Sequence, residues 1–167
     1  MTAQNIYTFR EDVLHQKAQP VDTFDAGLQT LVDDMIETMR VAPGVGLAAP
    51  QIGVPKRVIV VEFGDEYDET IPERLFVLVN PEIIQQSDDQ IVGIEGCLSV
   101  PGLVGEVARA QAVTVRGQDQ RGKKVTIRAQ GWLARIFQHE IDHVNGVLYT
   151  DRTDRIWQPK DEDMDTI

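Results

Sequence analysis

The sequence predicts an α+β fold, with short antiparallel strands packed around a central helix near the C-terminal end and a second helix near the N-terminus. Three observations predict it: apolar residues recur at helical spacing in two separate stretches, short β-branched runs lie between them, and no regular alternation of strand and helix connects the two.

Taken in order, Phe24, Leu28, Leu31, Met35, Ile36 and Met39 repeat with the helical period between Asp22 and Arg40. Asp22 or Thr23 can cap the start of that helix, and Pro43 and Gly44 close it. Strands are expected at 57–63 (RVIVVEF), 75–80 (LFVLVN), 112–118 (AVTVRGQ) and 124–130 (KVTIRAQ), and the last two flank DQRG as a hairpin. The second helix starts near Gly131 and ends at Asn145 and Gly146, both suited to a helix terminus. No repeat, low-complexity linker or boundary divides residues 1–167, so a single catalytic domain is expected. Its acidic end, from about 156 to 167, is expected to be solvated and partly frayed.

Composition narrows the function. A chain of 167 residues buries roughly 70% of its unfolded surface and needs no disulfide scaffold. With 27 acidic and 16 basic residues, the formal net charge of −11 repels phosphate backbones and anionic membranes, which argues against nucleic acid as a partner. The N-terminus MTAQNIYTFREDVL has neither a basic region nor an apolar core, and no apolar run approaches the ~18 residues of a membrane span. A soluble, cytoplasmic protein is expected. The lone cysteine, Cys97, is a buried hydrophobe, a nucleophile or a metal ligand.

The chemistry concentrates in QHEIDHVNG, residues 138–146. Projected at ~100° per residue, Trp132, Leu133, Ile136, Phe137 and Val144 form an apolar arc, and Arg135, Gln138, Asp142 and Asn145 take the opposite side. His139, Glu140 and His143 fall inside the apolar arc. Burying such a cluster unpaired costs several kcal/mol, so it is expected to be paired or coordinated. H-E-x-x-H is a zinc-binding device in which the glutamate serves as general base, but a catalytic site needs a third protein ligand. The longer metzincin pattern fails because its third histidine position holds Tyr149. His15 sits in a polar stretch with nothing site-like around it. Cys97 lies in EGCLSVPG, a glycine-flanked stretch expected between strands, and two histidines with a thiolate form a catalytic zinc-type set with one position open.

Three segments, GVGLAAPQIG (44–53), EGCLSVPG (95–102) and QHEIDHVNG (138–146), resemble in order and approximate spacing the signature motifs of the peptide deformylase family, over about residues 5–155. The resemblance implies removal of the N-terminal formyl group from formylmethionine of nascent polypeptides, with release of formate, at the ribosome. It implies Cys97, His139 and His143 as metal ligands and Glu140 as the residue that moves the proton. The metal implied is Fe(2+), with Zn(2+), Ni(2+) or Co(2+) able to replace it. Val144 stands where the family usually has leucine, a conservative change that puts nothing catalytic in doubt. Gln51, polar beside a small apolar segment, is expected to donate to a developing oxyanion, and the resemblance implies that the Leu98 N–H joins it. Val45, Gly46, Trp132 and Ile136 are expected to bind substrate, with Gly44 and Gly46 leaving room for its backbone.

Glu95 reads two ways, as the partner of a metal-binding histidine or as a charge paired with Arg109. Three other readings of the whole chain also predict distinct behaviour. An H-E-x-x-H endopeptidase would need a long open cleft, a structural metal site would have a closed fourth position, and a cysteine hydrolase using Cys97 would survive chelators.

Overall fold

A computed structural model describes residues 2–64 and 73–160. The first helix, α1, is Ala26–Val41, and it is capped by Asp25, whose carboxylate accepts the Leu28 N–H at 3.0 Å. The cap is therefore neither Asp22 nor Thr23; the Thr23 hydroxyl is spent on the Asp22 carboxylate, 3.1 Å away. The strands are β1 Gly46–Ala48, β2 Val58–Phe63, β3 Arg74–Gln86, β4 Gln90–Cys97, β5 Val100–Ala110, β6 Ala112–Gln118, β7 Lys124–Gln130 and β8 Ile156–Trp157. The second helix, α2, is Gly131–Val144.

Five strands form one antiparallel sheet in the order β1-β2-β3-β6-β7, and three form a second in the order β4-β5-β8. The fold class is the one expected, and the alternation along β2 shows how it is built. Val58 and Val60 pack with Leu28, Val32, Met35 and Met39 of α1, whereas Ile59 and Val61 pack with Ile136, Phe137, Ile141 and Val144 of α2. A continuous apolar run is what a strand covered on both faces requires. The five-stranded sheet is thus sandwiched between the helices, and α2 is enclosed on its other side by the second sheet.

Two expectations are corrected. β3 does not stop at Asn80 but continues to Gln86 through a register shift between Val79 and Glu82. Asn80 takes φ 53° there, and its side chain bonds both the N–H and the carbonyl of Val21, so a residue that reads as a terminator instead makes a bulge. At the other end, Ile156 and Trp157 pair with Gly105 and Val104 rather than belonging to a frayed tail; residues 161–167 of that expectation lie outside the described residues.

Candidate metal centre

EGCLSVPG is not a loop between distant strands. β4 and β5 form a hairpin in which Cys97 pairs with Val100, so Leu98 and Ser99 are the whole turn and Cys97 is the last residue of β4. The hairpin lies against α2 and brings Cys97 to His139 and His143. Their ligand atoms all lie within 4.8 Å of one another, and all three residues are buried.

The donor set fits a cation. Cys97 Sγ and His143 Nε2 are 3.4 Å apart, close to the roughly 3.5 Å expected of a sulfur and a nitrogen sharing one tetrahedral ion at ~2.3 and ~2.0 Å. Among the described residues His139 Nε2 has no hydrogen-bond partner, although its Nδ1 is held by Glu95 at 2.9 Å. An imidazole fixed through one nitrogen with the other left bare is the usual posture of a metal ligand.

Glu140 completes the arrangement. It is 0% exposed, and neither carboxylate oxygen has a partner among the described residues. Burial pushes its carboxyl up to about 7; a cation nearby acts in the opposite direction. A Cβ at Gly46 would lie 2.5 Å from Glu140 Oε2, so the glycine on β1 is what leaves the carboxylate its space.

Gln51 sits in a short 3-10 turn, Ala49–Ile52, immediately after β1. Its Oε1 accepts the Ala48 N–H at 3.0 Å, which aims Nε2 the other way, toward Ser99 Oγ at 3.1 Å and Cys97 Sγ at 3.7 Å. The amide that the sequence singled out is therefore buried beside the thiol with its donor end inward. Against these segments the sequence matches the polypeptide deformylase family over residues 3–158.

The chain belongs to the peptide deformylase family.

It is 52% identical over 152 residues to a peptide deformylase of Symbiobacterium thermophilum, covering 91% of this chain and 67% of that protein. To the peptide deformylase of Halothermothrix orenii it is 50% identical over 156 residues, covering 93% and 97% of the two chains. Its fold is similar to the crystal structure of the Thermotoga maritima peptide deformylase, with a TM-score of 0.84 at 39% identity over 91% of this chain and 98% of that one. The enzyme is accordingly a metal-dependent hydrolase that deformylates nascent peptides, the activity of its family.

Around the metal site the structure makes a network that the helical projection alone did not show. Arg135, Gln138 and Asp142 of α2 are not on a solvated face; all three are buried against the second sheet. Gln138 bonds both the N–H and the carbonyl of Ala110 on β5, each at 3.0 Å. Glu95 takes two bonds from Arg109, at 2.8 and 2.9 Å, and one from Arg135 at 2.6 Å, besides its bond with His139. Arg109 reaches on to Asp142 at 2.6 Å, and Arg152 closes the chain on the same carboxylate. Glu95 thus bonds His139 and pairs with Arg109 at once. Burial opposes its charge, but the bonds from Arg109 and His139 prevail and hold it far below the usual carboxylate range.

The remaining residues fall into place less evenly. His15 is exposed and its Nε2 lies 2.5 Å from the Phe9 carbonyl, away from the cluster. Val45 and Trp132 are half-buried against the core that contains Ile136, and Ile136 itself has no exposed surface. Trp132 also borders a cavity of about 710 Å³ lined by Phe63, Arg74, Phe76 and Leu133, which does not include the metal site. Sequence reasoning missed Ser99 and Tyr149. Ser99 is the fully buried acceptor of the Gln51 amide, and the Tyr149 ring stacks 6.2 Å from His139 at 22°. Nothing in the local pattern marked Ser99; Tyr149 was visible only as a failed metzincin ligand.

Proposed function

We propose that Cys97, His139 and His143 hold a ferrous ion and that Glu140 moves the proton in removing the formyl group from formylmethionine at the start of nascent chains. The observation that supports this most is the fully buried Glu140 carboxylate, with no partner for either oxygen, on the same helical turns as His139 and His143. A carboxylate kept bare inside a protein is costly, and general-base work on a water is a use that accounts for it. Two imidazoles and a thiolate suit iron, zinc, nickel and cobalt, and iron follows from the family resemblance.

When bound, the metal supplies Lewis acidity and makes a water acidic enough to ionise near neutral pH. Glu140 takes a proton from the attacking water as its oxygen bonds to the formyl carbon. Charge then collects on the formyl oxygen, where the Gln51 Nε2 and the Leu98 N–H donate. As the bond from carbon to nitrogen breaks, Glu140 returns the proton to the amine, and formate and a free N-terminus leave. Glu95 keeps the His139 ring in one orientation and its Nδ1 protonated.

Substrate enters along β1, an edge strand among the described residues, with Gly46 letting its backbone approach. Val45 and Trp132 flank the first side chain and Ile136 backs them, which favours methionine. Residues 1–167 act as one catalytic domain in the cytoplasm, on nascent chains at the ribosome. The net charge of −11 disfavours direct contact with nucleic acid.

The test is anaerobic purification followed by metal analysis and formate release from a formyl-Met peptide. Cys97→Ala, His139→Ala and His143→Ala should each abolish stoichiometric iron and activity, and His15→Ala should change neither. Full activity in His143→Ala refutes the ligand set.

A further inference from the structure

The N-terminal segment touches all three signature stretches. The Tyr7 N–H donates to the Gln51 carbonyl at 2.7 Å, and the Phe9 N–H donates to the Ser99 carbonyl at 2.9 Å. Farther along, Ala18 N–H donates to the Val144 carbonyl at 2.9 Å, and the Gln16 backbone crosses Gly146 so closely that a Cβ there would lie 2.8 Å from it. Leu14, fully buried, fastens the middle of the segment.

The first two anchors converge on a single hydrogen bond, that from Gln51 Nε2 to Ser99 Oγ. Tyr7 holds the main chain of the donor residue and Phe9 the main chain of the acceptor residue. Gln51 lies in a four-residue 3-10 turn, too short to be rigid by itself. The turn ends at Gly53 with φ 82°, and the Tyr7 ring lies flush on that glycine, where a Cβ would come within 2.6 Å of it. The ring is nevertheless 40% exposed, so it is no part of the core that holds the sheet together.

We infer that Tyr7 is a positioning residue: the strap from Tyr7 to Phe9, seated on Gly53 and bonded to Gln51 and Ser99, sets the direction in which the Gln51 amide points. This rests on the proposed role of Gln51 as oxyanion donor. A strap that merely tied the fold together would affect stability and metal retention; one that aims the amide affects turnover, and only while the amide is there.

A double-mutant cycle decides between these. Tyr7→Ala, which removes the ring, and Tyr7→Pro, which removes the N–H, are made in the full-length, metal-loaded enzyme with Gln51 present and with Gln51→Ala. The readouts are kcat and KM on a formyl-Met peptide, metal content and Tm. With Gln51 present, either change should lower kcat about 10-fold, within the ~10²-fold that a 1 Å misplacement can cost. KM and metal content should stay unchanged, and Tyr7→Phe should keep full kcat. In the Gln51→Ala background neither change should cost anything further. Equal fractional losses in both backgrounds, a loss explained by released metal, or an unchanged kcat in Tyr7→Ala each overturn the inference. If Tyr7→Pro does not fold, Tyr7→Ala at this exposed position carries the cycle alone. An unchanged kcat in Gln51→Ala by itself refutes the oxyanion role first and the strap with it, whereas multiplicative losses on a damaged Gln51→Ala enzyme refute only the strap.

Discussion

Glu95 and His139 are joined by a 2.9 Å bond from Nδ1 to Oε1, and the same carboxylate is gripped from its other sides by Arg109 and Arg135. One strand residue thus orients the histidine proposed as a ligand and pairs with two buried guanidinium groups, the second carboxylate on Arg109 being Asp142. Glu95→Ala should lower metal affinity ~10- to 100-fold, the usual effect of losing such support. It should also destabilise the protein by about 3 to 5 kcal/mol, since buried Arg135 loses its carboxylate and Arg109 is left with Asp142 alone. Chelator competition and denaturant unfolding measure the two effects separately, and unchanged affinity would mean that Glu95 is a structural charge alone.

Glu140 and Gly46 form a second test. Glu140→Gln should retain the metal and lose at least ~10²-fold in kcat, the lower range for general acid-base catalysis. Gly46→Ala would place a methyl group 2.5 Å from Glu140 Oε2, so the carboxylate must move. Its kcat should fall while metal content persists; full kcat in Gly46→Ala would show that the position of the carboxylate is not critical.

Metal uptake should release protons. Burial alone would lower the His139 pKa, but the neighbouring Cys97 sulfur and the bond with Glu95 outweigh burial and raise it to about 10. In apoprotein at pH 7 to 9 this imidazole therefore carries a proton that a cation must displace, and apparent metal affinity should rise with pH across that interval. Calorimetry in buffers of different ionisation enthalpy counts the protons, and a pH-independent affinity would contradict the assignment.

Acid should act through Glu95. Its folded pKa is depressed, so its contribution to stability is fully present above the unfolded carboxylate value of roughly 4.3 and is lost as pH falls below it toward the folded value. Thermal unfolding between pH 6 and 3 should show a decline that is smaller in Glu95→Gln, in which the titrating group is gone. An equal decline in both proteins would place the acid sensitivity elsewhere.

Substrate choice tests the pocket. The formyl carbon carries only hydrogen beyond its oxygen and nitrogen, and in the proposed site it faces Gln51, Cys97 and Leu98. An acetyl methyl should cost ~1 to 3 kcal/mol or more in strain. Formyl-Met peptides should be hydrolysed, formyl-Asp peptides much more slowly and acetyl-Met peptides essentially not at all. Turnover of acetyl-Met at the formyl-Met rate would show that these residues leave room for the methyl.

By itself the sequence determined the chemistry: the i and i+4 histidines, the glutamate between them and the inward face they share follow from helical periodicity, and the single cysteine left few choices for a third ligand. The helices and the apolar strands were legible for the same reason, because their side chains repeat with the period of the backbone. Strands β4 and β5 were not, since glycines and a proline interrupt QIVGIEGC and VPGLVGEVARA and β4 leaves Ile91, Val92 and Ile94 exposed. Their hairpin is held by pairing across the chain and by Arg135, which fills the space over Gly93. Only the tertiary structure decided that the polar side of α2 faces a second sheet rather than water, because a helical wheel records direction around an axis and not what stands there. The same holds for Ser99 and Tyr7: both act on Gln51 through contacts between residues more than 40 positions apart, and no local pattern carries that information.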